Sequence, residues 1–301
     1  MIGRSLFTGL RHSWEKNWPE ARALLGGEFS AFVMSSRPAE LGTEIPVFCY
    51  HIVDPEEFEQ DLEFLARNGY TAVDADTLLE HMRCTAQAPE NSVVLSIDDG
   101  ALNLSESAFP MLQKYGMKAV GFIAPGLHPG EARLRRLGME TEISRPCTWS
   151  EIRKMEESGH LDFQAHTLEH RYVPRWPEPV DLTGWNPRLV DCLRGDPLPM
   201  REAFCQSRRT MEERLGKKVL HMAFPKFKGT VEALRLGAEC GFQAFWWGHL
   251  PGHDGNRPGQ DPRFISRMDA LYLRRLPGDG RLSGSNLLKR RLALVASKWR
   301  S

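Results

Sequence analysis

The stretch Ser92-Val-Val-Leu-Ser-Ile-Asp98-Asp99-Gly100 constrains this chain more than any other. Its first six residues are apolar or small and rich in β-branching, the pattern of a strand buried on both faces. It stops abruptly at two carboxylates and a glycine. A helical stretch over 105–115 follows, and then a second apolar run, Ala119-Val-Gly-Phe-Ile-Ala124. Strand, helix and strand in that order make a βαβ unit with parallel strands. The paired acids then stand at the carboxyl end of the first strand, where α/β folds and barrels collect their chemistry.

The rhythm continues on both sides of this unit. An apolar strand over 45–50 ends at His51, and a helix over 55–68 follows, with Asp54 as its N-cap and Phe58, Leu62 and Leu65 on one face. A brief strand (71–73) and a helix (75–83) lead into Ser92. After Ala124 come a charged loop bearing Gly and Pro (125–146), a helix (149–158) and a strand (161–165) that ends at His166. A proline-rich irregular insertion over 173–200 precedes helix 201–215, strand 219–224, helix 230–240 and strand 242–247. A glycine-rich loop (249–262) and a last strand (264–268) complete the pattern. This alternation predicts a parallel sheet in an α/β fold, with enough units for a closed or nearly closed (β/α) barrel.

Two terminal segments stand outside the rhythm, so the chain divides into 1–43, 44–280 and 281–301. In the first, Ile2, Leu6, Leu10, Trp14 and Trp18 recur every four residues, as in an amphipathic helix lying on the main domain, the favoured reading, or on a partner. The last carries six Lys or Arg and no acid around a stripe of Leu287, Leu288, Leu292, Val295 and Trp299. That pattern suits a docked helix with a solvated basic face, or one that meets a membrane surface or a partner.

Charge and cysteine usage narrow the setting. The 39 Lys and Arg balance 39 Asp and Glu, so nothing in the net charge favours nucleic acid as a partner. Six scattered cysteines without a C-x-x-C pair read as reduced thiols. No apolar run is long enough to span a membrane, and the first dozen residues lack the apolar core of a secretory signal. A cytoplasmic protein is the expectation, peripheral at the membrane if 281–301 binds there.

His166-Thr-Leu-Glu-His170 is the second informative stretch. Histidines four apart share one face of a helical turn, so both imidazoles can reach one cation. The glutamate sits directly before the second histidine, which excludes a metalloprotease H-E-x-x-H. Two histidines and one carboxylate leave coordination positions open for water and substrate. Adjacent side chains at a strand end diverge, so only one of Asp98 and Asp99 can face such an ion. The other is left for the reacting water.

Taken together, these stretches resemble the polysaccharide deacetylases with a NodB-homology domain, carbohydrate esterase family four, over roughly residues 45–275. Ser96-Ile-Asp-Asp-Gly100 stands where that family has T/S-F-D-D-G, and His166-Thr-Leu-Glu-His170 matches its H-[S/T]-x-x-H. Ala223-Phe-Pro-Lys-Phe-Lys-Gly229 is similar to a degenerate Y-P-Y-G segment. Phe48-Cys-Tyr-His-Ile-Val53 and the following 55–70 are similar to the M-Y-H-x-V opening of the poly-N-acetylglucosamine deacetylase subgroup. The resemblance implies a distorted, incomplete (β/α) barrel with helical extensions. It implies a divalent ion on Asp99, His166 and His170, zinc first, with nickel or cobalt as alternatives. It makes Asp98 the general base and His51 the general acid, and places an oxyanion contact at a backbone N–H near Lys226, next to the motif's Pro225. The implied activity is metal-dependent hydrolysis of the N-acetyl amide of an amino sugar in a glycan or glycoconjugate precursor. Its rivals are a same-fold hydrolase of another C–N bond, such as a formamide or cyclic ureide, and a non-catalytic glycan binder.

Departures from the pattern carry information as well. The family's arginine two residues before the motif proline is Ala223 here, and Arg267 is the residue that can pair with Asp98 instead. Lys226 replaces an aromatic, which suits an acidic sugar or a phosphate-bearing carrier. His249, His253 and Asp254 form a ligand-like cluster read as an exposed loop. Of the tryptophans able to stack on sugar (Trp176, Trp185, Trp246 and Trp247), one of the adjacent pair must turn into the core, and Trp246 is assigned to substrate.

Overall fold

In the computed structural model, which describes residues 22–130, 145–176, 198–253, 255–287 and 289, eight parallel strands form one curled sheet. They are β1 (Val47–Tyr50), β2 (Thr71–Ala72), β3 (Ser92–Asp98), β4 (Ala119–Ile123), β5 (Leu161–Ala165), β6 (His221–Ala223), β7 (Ala244–Trp246) and β8 (Met268–Asp269). The order is β7-β6-β5-β4-β3-β1-β8, with β2 beside β3. Ile265 bridges to Trp246 of β7, and three residues later β8 pairs with Phe48 and Cys49 of β1. The segment 265–269 thus nearly closes the sheet, making the expected distorted, incomplete (β/α) barrel. The last strand lies a little later than the sequence pattern placed it, because Pro262–Phe264 forms a 3-10 turn.

Alternation along the strands sorts the core into two layers. Val94 of β3 joins Val47, Val120, Ala223, Ala244, Trp246 and Ile265 in the barrel interior. Val93, Leu95 and Ile97 face outward into the larger cluster under the helices. By the same parity Ser96 and Asp98 point inward, as does Cys49 of β1. Parallel register carries all strand ends to one side, so the loops after β1, β3, β5 and β6 meet there.

Helix boundaries follow the capping chemistry. Asp54 accepts from the Glu57 N–H ahead of helix Pro55–Arg67, and Asp74 from the Thr77 N–H ahead of Ala75–Met82. Thr148 and Glu151 form a reciprocal capping box at Trp149–Glu157. Thr230 caps Val231–Glu239. Each such cap is worth about 1 kcal/mol.

Three expectations are corrected here. Cys205, in helix Met200–Leu215, and Cys240, just after helix Val231–Glu239, form a disulfide with their Cα atoms 4.9 Å apart. Packing of two helices brings together cysteines 35 residues apart, which no local spacing announces. His249 is not an exposed loop residue: its side chain is 5% exposed and stacks on Phe29 at 4.5 Å between centroids. Asp254 lies outside the described residues. Trp246, assigned to substrate, is fully buried, and its indole N–H donates to Nδ1 of buried His221. That bond ties its indole edge to the first residue of β6, inside the barrel.

Of the terminal segments, the described parts dock on the barrel. Phe32 and Val33 are buried, and Phe32 packs edge-on against Phe48. Arg275 donates to the Val33 carbonyl, and Arg281 to that of Ser35 at 2.7 Å. Leu287 is buried. The apolar residues Ile2 to Trp18, and Leu288, Leu292, Val295 and Trp299, lie outside the described residues, as do Trp185 and most of the insertion. No described helix is long and apolar enough to cross a membrane.

Candidate active site

The candidate residues converge where β3, β5 and β6 end. Nε2 of His170 lies 3.1 Å from Oδ1 of Asp99, and Nε2 of His166 lies 3.5 Å from the same oxygen. The three donor atoms all fall within 4.8 Å of one another. His166 and His170 do not use a helical face to meet, contrary to the sequence reading. Residues 167–169 are a turn, and Thr167 (φ 61°) and His170 (φ 55°) take left-handed backbone that bends the second imidazole back toward the first.

Left-handed backbone is concentrated here. Of seven described non-glycine residues with positive φ, five belong to this end of the barrel: Asp99, Thr167, His170, Lys226 and Phe227. Each such residue costs on the order of 1–3 kcal/mol and persists only where surrounding packing enforces it. Gly100 (φ 64°) shows the enforcement, because a Cβ there would meet Ile123 Cγ2 at 2.6 Å and His128 Cε1 at 2.7 Å. Only glycine lets the chain turn there and aim Asp99 at the imidazoles.

Hydrogen bonds set which atoms face the cluster. A carbonyl can only accept, so the His166 Nδ1–H donates to Ala223 O at 2.9 Å, leaving the Nε2 lone pair toward Asp99. Burial pushes the His166 pKa down to about 4, so the ring is neutral near pH 7. Burial alone would raise the Asp99 carboxyl, but His170, His51 and His166 outweigh it and hold Asp99 well below the usual carboxylate range. Among the described residues, Oδ1 of Asp99 and Nδ1 of His170 are buried without a well-directed hydrogen bond. Two imidazole nitrogens and a carboxylate oxygen that converge without satisfying one another fit a divalent cation.

Asp98 faces elsewhere. Its Oδ1 accepts from Nη1 of Arg267 at 2.7 Å, and its Oδ2 stands 4.0 Å from His166 Nε2. Asp98 and Arg267 are each 1% exposed. Burial raises the Asp98 pKa, but the Arg267 cation, then His166 and His51, reverse the sign and hold it ionised. Arg267 comes from the segment that closes the barrel. Nε donates to Trp247 O, and the guanidinium lies over Phe122 and Phe227 at 5.4 and 5.0 Å.

Half-buried His51 completes the cluster. Its imidazole, the Asp98 carboxylate and the Cys49 thiol each offer an atom within 4.8 Å of the others. Its ring also meets Phe227 edge-on at 5.7 Å. Pro225 opens the 3-10 turn Pro225–Phe227, in which Lys226 (φ 54°) holds its ammonium 5.2 Å from the Tyr172 ring centroid. Trp247, half-buried and stacked on Phe264, is the member of the tryptophan pair nearer the surface. Trp176 instead donates to Leu198 O and packs on Phe204.

Sequence reasoning passed over His128. It is buried behind Gly100, its Nδ1–H donates to Cys147 O, and its Nε2 has no hydrogen-bond partner among the described residues. A single histidine in a Gly/Pro loop gave no signal of this.

Comparison with known proteins identifies the fold and the family. The family model described as polysaccharide deacetylase matches residues 85–245, just over half of the chain. YxkH of Bacillus subtilis, named for the same family, is 21% identical over 241 residues, covering 76% of this chain and 73% of YxkH. The poly-beta-1,6-N-acetyl-D-glucosamine N-deacetylase of Staphylococcus aureus is 30% identical over 115 residues, covering 38% of this chain and 37% of the staphylococcal enzyme. Among solved structures, IcaB from Ammonifex degensii superposes with a TM-score of 0.59 at 24% identity, covering 76% of this chain and 92% of IcaB. A de-N-acetylase from Aggregatibacter actinomycetemcomitans gives 0.58 at 20% identity over 82% of this chain and 99% of that one, a likeness of fold. With its Asp-Asp-Gly strand end and both histidines inside the matched span, this chain belongs to the polysaccharide deacetylase family of enzymes.

Proposed function

We propose that this enzyme removes the acetyl group from an N-acetylated amino sugar of a glycan, using a divalent cation held by Asp99, His166 and His170. One observation carries the reading: neighbouring acids are split, Asp99 toward two imidazoles and Asp98 toward Arg267. A site that binds an ion and deprotonates water beside it needs that split. The names of the staphylococcal and Aggregatibacter proteins support the choice of an N-acetyl bond.

A cation on this donor set supplies Lewis acidity toward water and the acyl oxygen. Two imidazoles and one carboxylate suit zinc, and also nickel or cobalt. Asp98, kept ionised by Arg267, takes a proton from the attacking water as general base. The Lys226 N–H, in the 3-10 turn that follows β6, is the backbone donor assigned to the developing oxyanion. His51 returns a proton to the leaving nitrogen, which is too basic to depart without one. Water and amide thus become acetate and a free amino sugar. The Lys226 ammonium, on the same turn, favours a glycan that carries negative charge.

Acetate release from N-acetylated oligosaccharides, neutral and anionic, tests the reading. Acetate should appear in step with free amine and stop on chelation. Formate from an N-formyl sugar, or a ring-opened ureide, in place of acetate would transfer the site to another C–N bond.

A further inference from the structure

We propose that Cys49, His51 and Asp98 form a second, weaker cation site beside the Asp99–His166–His170 set, one that takes a thiophilic ion such as zinc and inhibits the enzyme when filled. The backbone puts these side chains together. Strands β1 and β3 run parallel with Cys49 opposite Ser96 and Tyr50 opposite Ile97, so His51, one residue on, comes level with Asp98. Side chains alternate along a strand, and on β1 Val47 faces the barrel interior while Phe48 faces the helices. Cys49 therefore shares the inward face with Asp98, and its sulfur, a His51 nitrogen and an Asp98 oxygen lie within 4.8 Å of one another.

The donor chemistry defines the ligand. A thiolate, an imidazole and a carboxylate are the three commonest zinc donors, and three protein ligands leave a fourth position for water. Magnesium and calcium, which prefer oxygen, are poor fits. Cys49 and Asp98 are buried, whereas half-buried His51 gives an ion its way in. Methionine holds the Cys49 position in the M-Y-H-x-V opening of the subgroup this chain resembles. A thioether has no proton to lose, so the thiolate donor belongs to this chain rather than to that pattern.

Electrostatics rank the two sites. Arg267 already engages Asp98 Oδ1, and its charge, while favouring a thiolate, opposes an incoming dication. An ion on Asp99, His166 and His170 adds to that opposition. The second site therefore fills after the first, in metal excess, and filling it occupies the groups assigned as base and acid. Inhibition rests on the proposed deacetylase reading; binding of the second ion does not.

The test titrates the metal-free full-length protein with cobalt(II), following stoichiometry by equilibrium dialysis and thiolate-to-cobalt charge transfer by absorption. Two equivalents should bind, with the sulfur band arriving only with the second. Cys49→Ser should bind one equivalent without the band, and His170→Ala should keep the band while losing the tighter equivalent. Saturation of the wild type at one equivalent, or a sulfur band that survives in Cys49→Ser, would overturn the proposal. Excess zinc should depress acetate release in the wild type several-fold more than in Cys49→Ser, and equal depression in both would overturn the inhibitory role. A sulfur-bearing second equivalent in a protein that releases no acetate would sink the deacetylase reading and leave this site standing.

Discussion

Arg267 and Asp98 stand 169 residues apart in sequence and meet at 2.7 Å with both side chains buried. The pair joins the segment that closes the barrel to the strand that organises it. Removing one partner of a buried ion pair leaves an uncompensated charge, which costs about 3–5 kcal/mol. Arg267→Met should therefore lower stability to urea by that order. It should also raise the Asp98 pKa and move the acid limb of kcat/KM to higher pH, because the base works only when ionised. Arg267→Lys, which keeps the charge but loses the fork, should fall between. An unchanged acid limb in Arg267→Met would show that Arg267 does not set the protonation of Asp98.

Loss of a direct ligand should exceed the ~10–100-fold cost in affinity that follows loss of an outer-shell partner. Asp99→Ala and His170→Ala are each expected to bind cation more than about 100-fold more weakly in competition with a chelator. Affinity within a few-fold of wild type in either variant would place the ion elsewhere.

Stability of the metal-free protein should fall as pH drops from about 6.5 to about 4. Burial pushes the pKa of His128 from 6.5 down to about 4, so across that window the unfolded chain binds a proton that the native state refuses. The contribution is complete above 6.5 and lost on the way down, a change of order 3 kcal/mol. His166 is shifted in the same direction. The lowered carboxyls of Asp98 and Asp99 act further down, since their contribution is full above the ordinary carboxylate value and is lost only below it. Urea unfolding across the window checks this, and His128→Gln should flatten the slope.

Lys226 is expected to set a charge preference. Its half-buried ammonium pairs with one substrate anion for about 1 kcal/mol, or roughly a fivefold to tenfold preference. The ratio of kcat/KM for anionic over neutral N-acetylated oligosaccharides should fall by that factor in Lys226→Met, and should shrink with added salt in the wild type. A ratio indifferent to both would remove Lys226 from substrate recognition.

Much of this was legible before any coordinates, and the reasons for the rest are specific. Asp54, Thr148 and Thr230 announced their helices because capping is local chemistry. The strand ends carrying Asp98, Asp99, His166 and His51 were readable because β-strands advertise their burial in a few residues. The link from Arg267 to Asp98 was suggested only through a family resemblance, since closure of a barrel is a tertiary event. The Ala223 carbonyl that orients His166 is backbone and leaves no mark on residue identity. The turn at 167–169 defeated a helical-spacing argument, because left-handed residues reproduce the convergence of an i, i+4 pair without a helix. Trp246 and Trp247 were ambiguous for want of register. One hydrogen bond to His221 decides it by drawing Trp246 inward.

The division of labour between the two adjacent acids is the centre of the account, and Asp98→Asn measures it most directly. Cation stoichiometry and acetate release should be determined on the same preparation. The variant should bind one tight equivalent as the wild type does, while acetate release falls by about 10²–10⁴-fold, the usual worth of a general base. Loss of the tight equivalent together with activity would make Asp98 a ligand, and acetate release near the wild-type rate would show that another group deprotonates the water.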